Sequence, residues 1–250
     1  MTGDAAKVLA DGRSGGGPVA RYSERGLHGQ TVQEIARRIL TGELRPGDTI
    51  DLAALGAELD LSLTALREAL KVLAAKGLVA SRQKRGTFVR PRSDWSLLDP
   101  DVIRWQFANR NDDAFLENLA EVRGIIEPQA ARLAALRRTP EDLAVLDAAL
   151  TAMHDANGDP ALAVAADLAF HRALLTATHN ELLERMEIVI EVGLAERDRL
   201  VHGVRRHDDP VPSHRAVLDA VRDGVPGRAE EAMRDLLAKA RRDLDTVRED

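Results

Sequence analysis

The stretch from residue 27 to residue 92 constrains the fold most, because helical and strand-like signals follow one another there within short distances. In its first segment, apolar residues recur at helical spacing on one face: Val32, Ile35, Ala36, Ile39 and Leu40. Thr31 is the expected N-cap of this helix, and Glu34 completes a capping box. The glycines and proline of GELRPGD end the helix.

Two further short helices and a hairpin follow. Asp51 is expected to cap one helix and Ser62 the next, which Gly77 ends. The runs LVAS and TFVR are strand-like and flank the basic turn RQKRG, with Gly86 near its tip. The order helix, helix, helix, hairpin predicts a winged helix-turn-helix domain over residues 27–92.

The chain from residue 99 onward has a helical pattern almost throughout. The motifs TP, GDP, HN, DDPVP and DGVPG interrupt apolar stripes of helical spacing. The stripes cover residues 114–137, 141–155, 160–177, 181–201, 214–223 and 226–246. Six or seven helices with short loops predict an all-helical bundle over residues 99–250. A flexible arm (1–26) and a linker (93–98) complete a chain of mainly α class.

Composition excludes several classes of protein. The 250 residues include no cysteine, so disulfides and thiolate metal sites are excluded. No signal peptide and no apolar run of the ~18 residues that a membrane span requires is present, so a cytoplasmic protein is expected. Residues 1–92 carry 15 Lys and Arg against 10 Asp and Glu (net +5), and residues 93–250 carry 20 against 31 (net −11). Such asymmetry is expected where only the first part meets phosphate.

These segments resemble the GntR family of bacterial regulators, in the FadR branch whose helical domain is called FCD. The DNA-binding resemblance is carried by TVQEIARRILTGELRPGD and REALKVLAAKGLVASRQKRGTFVRPR, and the sensor resemblance by EVRGIIEP, DLAFHRALLTATHN and SHRAVLDAV. The run KRGTFVRPRSDWSLLDPDVIRW is similar to sugar-acid-responsive members of the galactonate- and gluconate-operon type. The resemblance covers residues 28–250. It implies a transcription regulator, and a homodimer suits a palindromic DNA operator.

The amino end of the Ser62 helix is expected to enter the major groove of DNA. Arg67 lies one turn further and can reach phosphate or guanine, whereas small side chains beside it permit close approach. The wing adds positive charge, and its glycine lets the backbone lie close to DNA. The predicted DNA contacts are Ser62, Thr64, Ala65, Arg67, Lys84, Arg85, Gly86 and Thr87. A solvated basic face is the alternative interpretation.

The resemblance also implies arginine at two positions where this chain has Ala53 and Leu63. Each bidentate base contact that is lost removes ~1–3 kcal/mol of discrimination. The operator sequence therefore does not follow from family analogy, and binding depends more on the wing and the arm or on a different operator.

Asp167 and His171 are four residues apart, so their side chains share one helical face and can converge on one ion. From spacing alone, such a pair is more often a surface contact. The resemblance to metal-binding FCD domains implies that Asp167, His171 and His214 are all metal ligands. A set without thiolate suits Zn²⁺, which is favoured, and also Mn, Ni or Fe.

The resemblance implies a fourth histidine ligand where this chain has Leu236. Three protein ligands would leave open positions, which water or an effector carboxylate can fill. His202 and His207, in the preceding segment, are further candidate donors.

Arg123 is the best candidate for an effector carboxylate, because its planar fork binds two oxygens at once. The alternative is an ordinary ion pair with Glu127, one turn away. Asn180 is a second candidate effector contact, although capping a helix is the simpler role. An anionic, oxygen-rich molecule is expected: a sugar acid such as an aldonate, followed by lactate-like hydroxy acids and dicarboxylates.

The predicted function is therefore a repressor that a small carboxylate releases from DNA. The sequence also allows two alternatives. One is a regulator that responds to acyl-CoA or another metabolite without a metal. The other is a metal-dependent hydrolase or lyase that uses Asp167, His171 and His214, although no general base or nucleophile motif accompanies them.

Overall fold

The computed structural model describes residues 26–109, 113–191 and 209–249, so nearly all of the predicted arm lies outside the described residues. The chain divides into two units between residues 110 and 111. None of the described helices is long and apolar enough to cross a membrane.

The first unit is a winged helix-turn-helix, as predicted. Its elements are α1 (Leu27–Leu40), α2 (Leu52–Leu59), α3 (Leu63–Ala75), β1 (Val79–Arg82), β2 (Gly86–Val89), a 3₁₀ turn (Arg92–Asp94) and α4 (Pro100–Asn109). The two strands are antiparallel, with Val79 opposite Val89 and Arg82 opposite Gly86. Their register places the basic turn at the tip of the hairpin.

Side-chain caps fix the helix-turn-helix. The Asp51 carboxylate accepts from the backbone N–H groups of Ala53 and Ala54, and the Ser62 hydroxyl accepts from that of Ala65. Both predicted caps are confirmed. Leu66, which is fully buried, belongs to the apolar side that α3 turns toward the core of the unit, so the opposite side of α3 faces solvent.

The predicted start of the first helix is wrong. α1 begins at Leu27 without a side-chain cap, and Thr31 lies one turn inside it, where its hydroxyl donates to the Leu27 carbonyl at 2.7 Å. Glu34 forms no capping box but pairs with Arg37 and Arg38. The apolar period starts only after Thr31, so the polar first turn carried no periodic signal.

An extended segment along β2 was not predicted. The Ile50 N–H donates to the Thr87 carbonyl at 2.8 Å, and Thr49 forms an antiparallel bridge with Phe88. The wing is therefore supported on two sides, since β1 pairs with β2 along its other edge.

The predicted linker over residues 93–98 is part of the first unit. Trp95 is buried in the same core as α1 and α3, together with Val102 and Trp105 of α4. The Ser96 N–H also donates to the Lys76 carbonyl at 3.0 Å. Burying two tryptophans fixes the linker and α4 against the winged helix, so the first unit extends to residue 110, beyond the predicted DNA-binding domain (27–92) and linker (93–98).

The second unit is helical in its described residues. Its elements are α5 (Asp113–Arg137), α6 (Pro140–Asp155), α7 (Pro160–Thr176), α8 (Glu181–Arg185), α9 (Val211–Asp223) and α10 (Pro226–Glu249). The helix predicted over residues 181–201 is interrupted by a turn at Met186, residues 187–191 are helical again, and residues 192–208 lie outside the described part. The mainly α class is confirmed.

The core of the second unit positions the candidate site. Phe170 of α7 is fully buried among apolar residues of α5, α6, α9 and α10. Its ring makes edge contacts with His171 on the same helix and with His214 on α9, with centroids 6.0 and 4.9 Å apart. The two imidazoles are thus held at the margin of a packed apolar core.

Candidate DNA-binding surface and metal centre

The amino end of α3 is exposed. Ser62, Thr64 and Arg67 are accessible, and Ala65 is half-buried behind them. The Ser62 hydroxyl is used as the cap, so it fixes the first turn of the helix while remaining at the surface. A helix that is anchored on one side and accessible at its amino end has the form that enters a major groove.

The two positions where the resemblance implies arginine also lie at this surface. Ala53 is exposed in the first turn of α2, and Leu63, the first residue of α3, is 48% exposed. α3 therefore begins with an accessible apolar side chain that can contact a thymine methyl but cannot donate a hydrogen bond to guanine.

The tip of the wing presents a cation on a strained turn. Lys84 and Gly86 are exposed and have positive φ angles of 67° and 81°. A glycine adopts this conformation without strain, which permits the short connection between the strands. Thr87 is half-buried, and its hydroxyl lies 2.8 Å from that of Ser81 across the hairpin.

Arg85 is held by the domain itself. Its guanidinium lies 3.9 Å from the centroid of the Phe88 ring and donates to the Gly47 carbonyl at 3.0 Å. Stacking and the hydrogen bond fix the cation against the base of the wing. Of the two predicted basic wing residues, Lys84 therefore extends from the turn, and Arg85 is pre-positioned beside it.

The second unit brings the three candidate metal ligands together. Asp167 and His171 on α7 and His214 on α9 each offer a ligand atom, and these atoms lie within 4.8 Å of one another. Asp167 Oδ1 is 2.7 Å from His214 Nε2 and 3.6 Å from His171 Nε2. Both imidazoles are buried and the carboxylate is half-buried. We call these three residues the histidine cluster.

The surroundings of each imidazole determine which nitrogen carries its proton. His214 Nδ1 lies 2.8 Å from the Pro210 carbonyl, which only accepts hydrogen bonds, so this contact favours the neutral tautomer with its proton on Nδ1. His171 Nδ1 lies 2.7 Å from Glu127 Oε2, in a close contact that is not aligned as a regular hydrogen bond. A lone pair facing a carboxylate is repelled, and Glu127 is closer to Nδ1 than Asp167 is to Nε2, so the same tautomer is favoured for this ring.

Both Nε2 lone pairs consequently point into the cluster. Neither Nε2 atom has a hydrogen-bond partner among the described residues, although both are buried. The Nε2 lone pair of His214 and the Asp167 carboxylate are two acceptors 2.7 Å apart. Facing acceptors repel each other in a buried site, and a cation between them removes that repulsion.

Glu127 connects the histidine cluster to Arg123. Arg123 Nε donates to Glu127 Oε1 at 2.5 Å, and both side chains are buried. Burial raises the pKa of the Glu127 carboxyl, but the charge of Arg123 and the contact with His171 outweigh burial and lower that pKa to about 2. The predicted ion-pair alternative for Arg123 is present, and Glu127 reaches His171 as well. The spacing in the sequence indicates only the pairing of Glu127 with Arg123.

The donors fit a divalent transition metal. Two imidazole Nε2 atoms and one carboxylate oxygen suit Zn²⁺, Mn²⁺, Ni²⁺ or Fe²⁺, and the set does not select among these. Leu236, at the position of the implied fourth ligand, is buried in the apolar core. His202 and His207 lie outside the described residues.

Asn180 caps α8. Its side-chain oxygen accepts from the backbone N–H groups of Leu182 and Leu183 at 3.0 and 3.4 Å. The simpler of its two predicted roles is therefore observed, and an effector contact would have to share this oxygen with the cap.

A winged helix with an accessible α3 and a basic wing, followed by a helical domain with a buried ligand-type cluster, defines a DNA-binding transcriptional regulator. The model of the gntR family of bacterial regulatory proteins matches residues 27–89, and that of the FCD domain matches residues 118–239. The chain belongs to the GntR family and carries a C-terminal FCD domain.

Characterised relatives agree with this class. The chain is 33% identical over 219 residues to the galactonate operon transcriptional repressor of Escherichia coli K12. The aligned region covers 86% of this chain and 96% of the relative. It is also 33% identical over 202 residues to the HTH-type transcriptional regulator LutR of Bacillus subtilis. That aligned region covers 78% of this chain and 90% of LutR.

The fold matches solved structures as well. The regulator Lar, which controls the agr system of Listeria monocytogenes, superposes with a TM-score of 0.61 at 18% identity, covering 89% of this chain and 98% of that one. At this identity the likeness is one of fold. The matched family and the relatives are those of transcriptional regulators, so the hydrolase or lyase alternative is set aside.

Proposed function

We propose that the protein is a homodimeric repressor that a sugar acid releases from its operator. In this proposal the effector binds at a divalent metal ion held by Asp167, His171 and His214. One observation carries it: the half-buried Asp167 carboxylate and the Nε2 atoms of two buried imidazoles on different helices lie within 4.8 Å of one another. A cation at the centre of such a cluster would remove the repulsion between the carboxylate and the imidazole lone pairs.

The metal would supply a Lewis acid that binds effector oxygens and orients them. The Pro210 carbonyl and Glu127 hold the two imidazoles with their lone pairs inward, so the ligands are ordered before the ion arrives. Leu236 supplies no donor, which leaves coordination positions for a carboxylate and a neighbouring hydroxyl. Sugar acids and hydroxy acids carry both groups.

Arg123 is proposed to bind the effector carboxylate. Its Nε is used by Glu127, so an effector would bind the terminal nitrogens of the guanidinium. Glu127 thereby holds the planar group in one orientation, which reduces the entropy lost on binding.

The charge of the site favours one carboxylate over two. Glu127 and Asp167 contribute two negative charges and Arg123 one positive charge, and both imidazoles are neutral when they bind a metal. A divalent ion brings the total to +1, which one carboxylate neutralises. A second carboxylate would leave an uncompensated buried charge. This balance supports aldonates above dicarboxylates, in line with the relative named as a galactonate operon repressor.

On the DNA side, α3 and the tip of the wing are proposed to contact the operator through Ser62, Thr64, Ala65, Arg67, Lys84, Arg85, Gly86 and Thr87. One winged helix makes few contacts, whereas a dimer doubles them on a palindromic site. Release requires that the effector bind more tightly to a conformation that does not fit the operator.

A metal-free acyl-CoA regulator is the second candidate. It leaves the facing acceptors of the histidine cluster unexplained, and metal analysis of the purified protein distinguishes it from the leading proposal.

Operator release tests the proposal. An operator is selected from random duplexes, and its affinity is measured by fluorescence anisotropy in Zn²⁺ with and without galactonate or gluconate. The native protein is expected to lose at least tenfold in affinity when the acid is added. His171→Ala should bind the operator but ignore the acid.

His154→Ala provides the matched control, because His154 is an exposed histidine of the same unit. It should respond as the native protein does. No salt-sensitive affinity for any duplex would contradict DNA binding, and an equal response of His171→Ala would contradict the metal-assisted site.

A further inference from the structure

The two carboxylate oxygens of Glu127 contact two different side chains of the proposed site. Oε1 accepts from Arg123 Nε at 2.5 Å, and Oε2 lies 2.7 Å from His171 Nδ1. The side chain of Glu127 is 1% exposed, so water does not compete for either oxygen. One buried carboxylate therefore links the proposed effector clamp on α5 to a proposed metal ligand on α7.

We infer that Glu127 is a positioning residue, which holds His171 in the metal-binding tautomer and joins metal binding to the orientation of Arg123. The inference rests on the proposed metal site. Sequence spacing explains only the link to Arg123, which is four residues away on the same helix. The link to His171 crosses from one helix to another.

The tautomer is the physical basis of this inference. A neutral imidazole carries one proton, and only the nitrogen without it can bind a metal. The negative oxygen beside Nδ1 holds the proton there and leaves Nε2 directed toward Asp167 and His214. Without that charge, the proton is free to move to Nε2, where it lies between His171 and Asp167 and prevents coordination.

A purely structural role predicts a different outcome. Glutamine has nearly the size of glutamate and keeps one oxygen for Arg123, so a structural ion pair alone would change stability and leave metal affinity unaltered. A positioning role requires a negative acceptor for the Nδ1 proton, which the uncharged amide does not provide.

The test is the affinity of the full chain for Zn²⁺, measured by competition with a chelating dye. Glu127→Gln is expected to lose affinity by about 10- to 100-fold, as loss of an outer-shell partner generally does. Glu127→Asp, which keeps the charge on a shorter side chain, should recover part of that loss. Glu121→Gln, at an exposed position of the same helix, should bind as the native chain does.

Nitrogen-15 NMR of the histidine side chains gives a readout that structural damage alone does not move. Metal-free native protein should show His171 protonated at Nδ1, and Glu127→Gln should shift the proton toward Nε2. If Glu127→Gln fails to fold, the native spectrum still decides, because a native Nε2–H tautomer of His171 would overturn the inference.

The outcomes separate this inference from the function on which it rests. If the native chain binds no Zn²⁺, both proposals fail. If the native chain binds Zn²⁺, His171→Ala does not, and Glu127→Gln binds within about twofold of native, the proposed metal site stands and the role of Glu127 is overturned.

Discussion

Each of the two units contains a partly buried cluster of charges, and the clusters differ in how their groups are matched. In the first unit, the Lys76 ammonium at the end of α3 lies 2.8 Å from Asp99 Oδ1 and 2.7 Å from Asp101 Oδ2. It also lies 5.6 Å from the centroid of the Trp105 ring, and Arg104 pairs with Asp101. In this Lys76 cluster (Lys76, Asp99, Asp101 and Arg104), each charge meets an opposite one.

The histidine cluster of the second unit is not matched in this way. Glu127 neutralises Arg123 behind it, but in front the Asp167 carboxylate meets two imidazole nitrogens that also accept. Burial and charge are common to the two clusters, so neither property marks the functional site. The pairing of acceptor with acceptor does, because a cation from outside the chain would remove the repulsion between them.

The largest effect is expected at Gly77, which follows Lys76 and lies against the backbone of residue 94. A Cβ added at Gly77, which has a φ of +80°, would lie 2.3 Å from the Asp94 carbonyl oxygen. Gly77→Ala should therefore destabilise the first unit by about 4 kcal/mol or more. Both tryptophans, Trp95 and Trp105, lie in this unit, so urea unfolding followed by tryptophan fluorescence reports on it selectively.

Gly42→Ala separates the clash from backbone strain. Gly42 also has a positive φ, +81°, but its Cβ would meet nothing within 4 Å. A loss of about 1 kcal/mol is expected. Equal losses for the two alanine variants would show that the approach of residue 94 to α3 is not required.

The next prediction tests whether the opposite charges of the Lys76 cluster stabilise one another. Lys76→Met removes the cation from two carboxylates and should cost about 3 kcal/mol in the same unfolding experiment. Lys71→Met is the control, because Lys71 on the same helix is 72% exposed and pairs with the exposed Glu68. It should cost less than about 0.5 kcal/mol. A larger loss for Lys71→Met would contradict the comparison.

A smaller effect tests the charge balance of the histidine cluster. Gluconate and glucarate differ only at one terminal carbon, which is a hydroxymethyl group in the first and a carboxylate in the second. With Zn²⁺ present, gluconate should bind about tenfold more tightly, or by about 1.4 kcal/mol. Isothermal titration calorimetry measures both affinities, and a preference for glucarate would refute the assigned net charge of +1.

The smallest effect is the response of the first unit to mild acid. Burial raises the pKa of Asp101, but hydrogen bonds from Lys76 and Arg104 outweigh it, so that pKa lies below its usual 3.8. A carboxyl with a lowered pKa stabilises the fold above its unfolded value, and the stabilisation is lost as pH falls through the folded value. Tryptophan-monitored stability should therefore be unaffected by Asp101 between pH 7 and pH 5 and decline below about pH 4. The same measurement is made on Asp101→Asn. A loss of stability already at pH 5 in the native protein that is absent from this variant would contradict the pairing of Asp101 with Lys76 and Arg104.

Local signals predicted much of the first unit. Asp51 and Ser62 were correctly identified as caps because capping depends on backbone groups within three residues. The hairpin was predicted from its turn. The start of α1 was not, because tertiary packing buries Thr31 in a turn that has no apolar period. The boundary at residue 110 depends on where Trp95 and Trp105 pack, which spacing alone does not reveal.

The candidate site was predictable only along single helices. The spacing of Asp167 and His171 indicates a shared face, and the family resemblance added His214. The role of Glu127 could not be predicted, because its contact with His171 joins α5 to α7 and has no fixed separation in sequence. Its one local signal was the spacing from Arg123, which indicates an ion pair and nothing more.

Metal content tests the central claim most directly. Native protein and the His171→Ala and His154→Ala variants are incubated with Zn²⁺, dialysed and analysed by inductively coupled plasma mass spectrometry. The account predicts about one ion per chain in the native protein and in His154→Ala, and none in His171→Ala. Equal zinc in all three, or none in any, would contradict the claim that the facing acceptors of the second unit form a metal site.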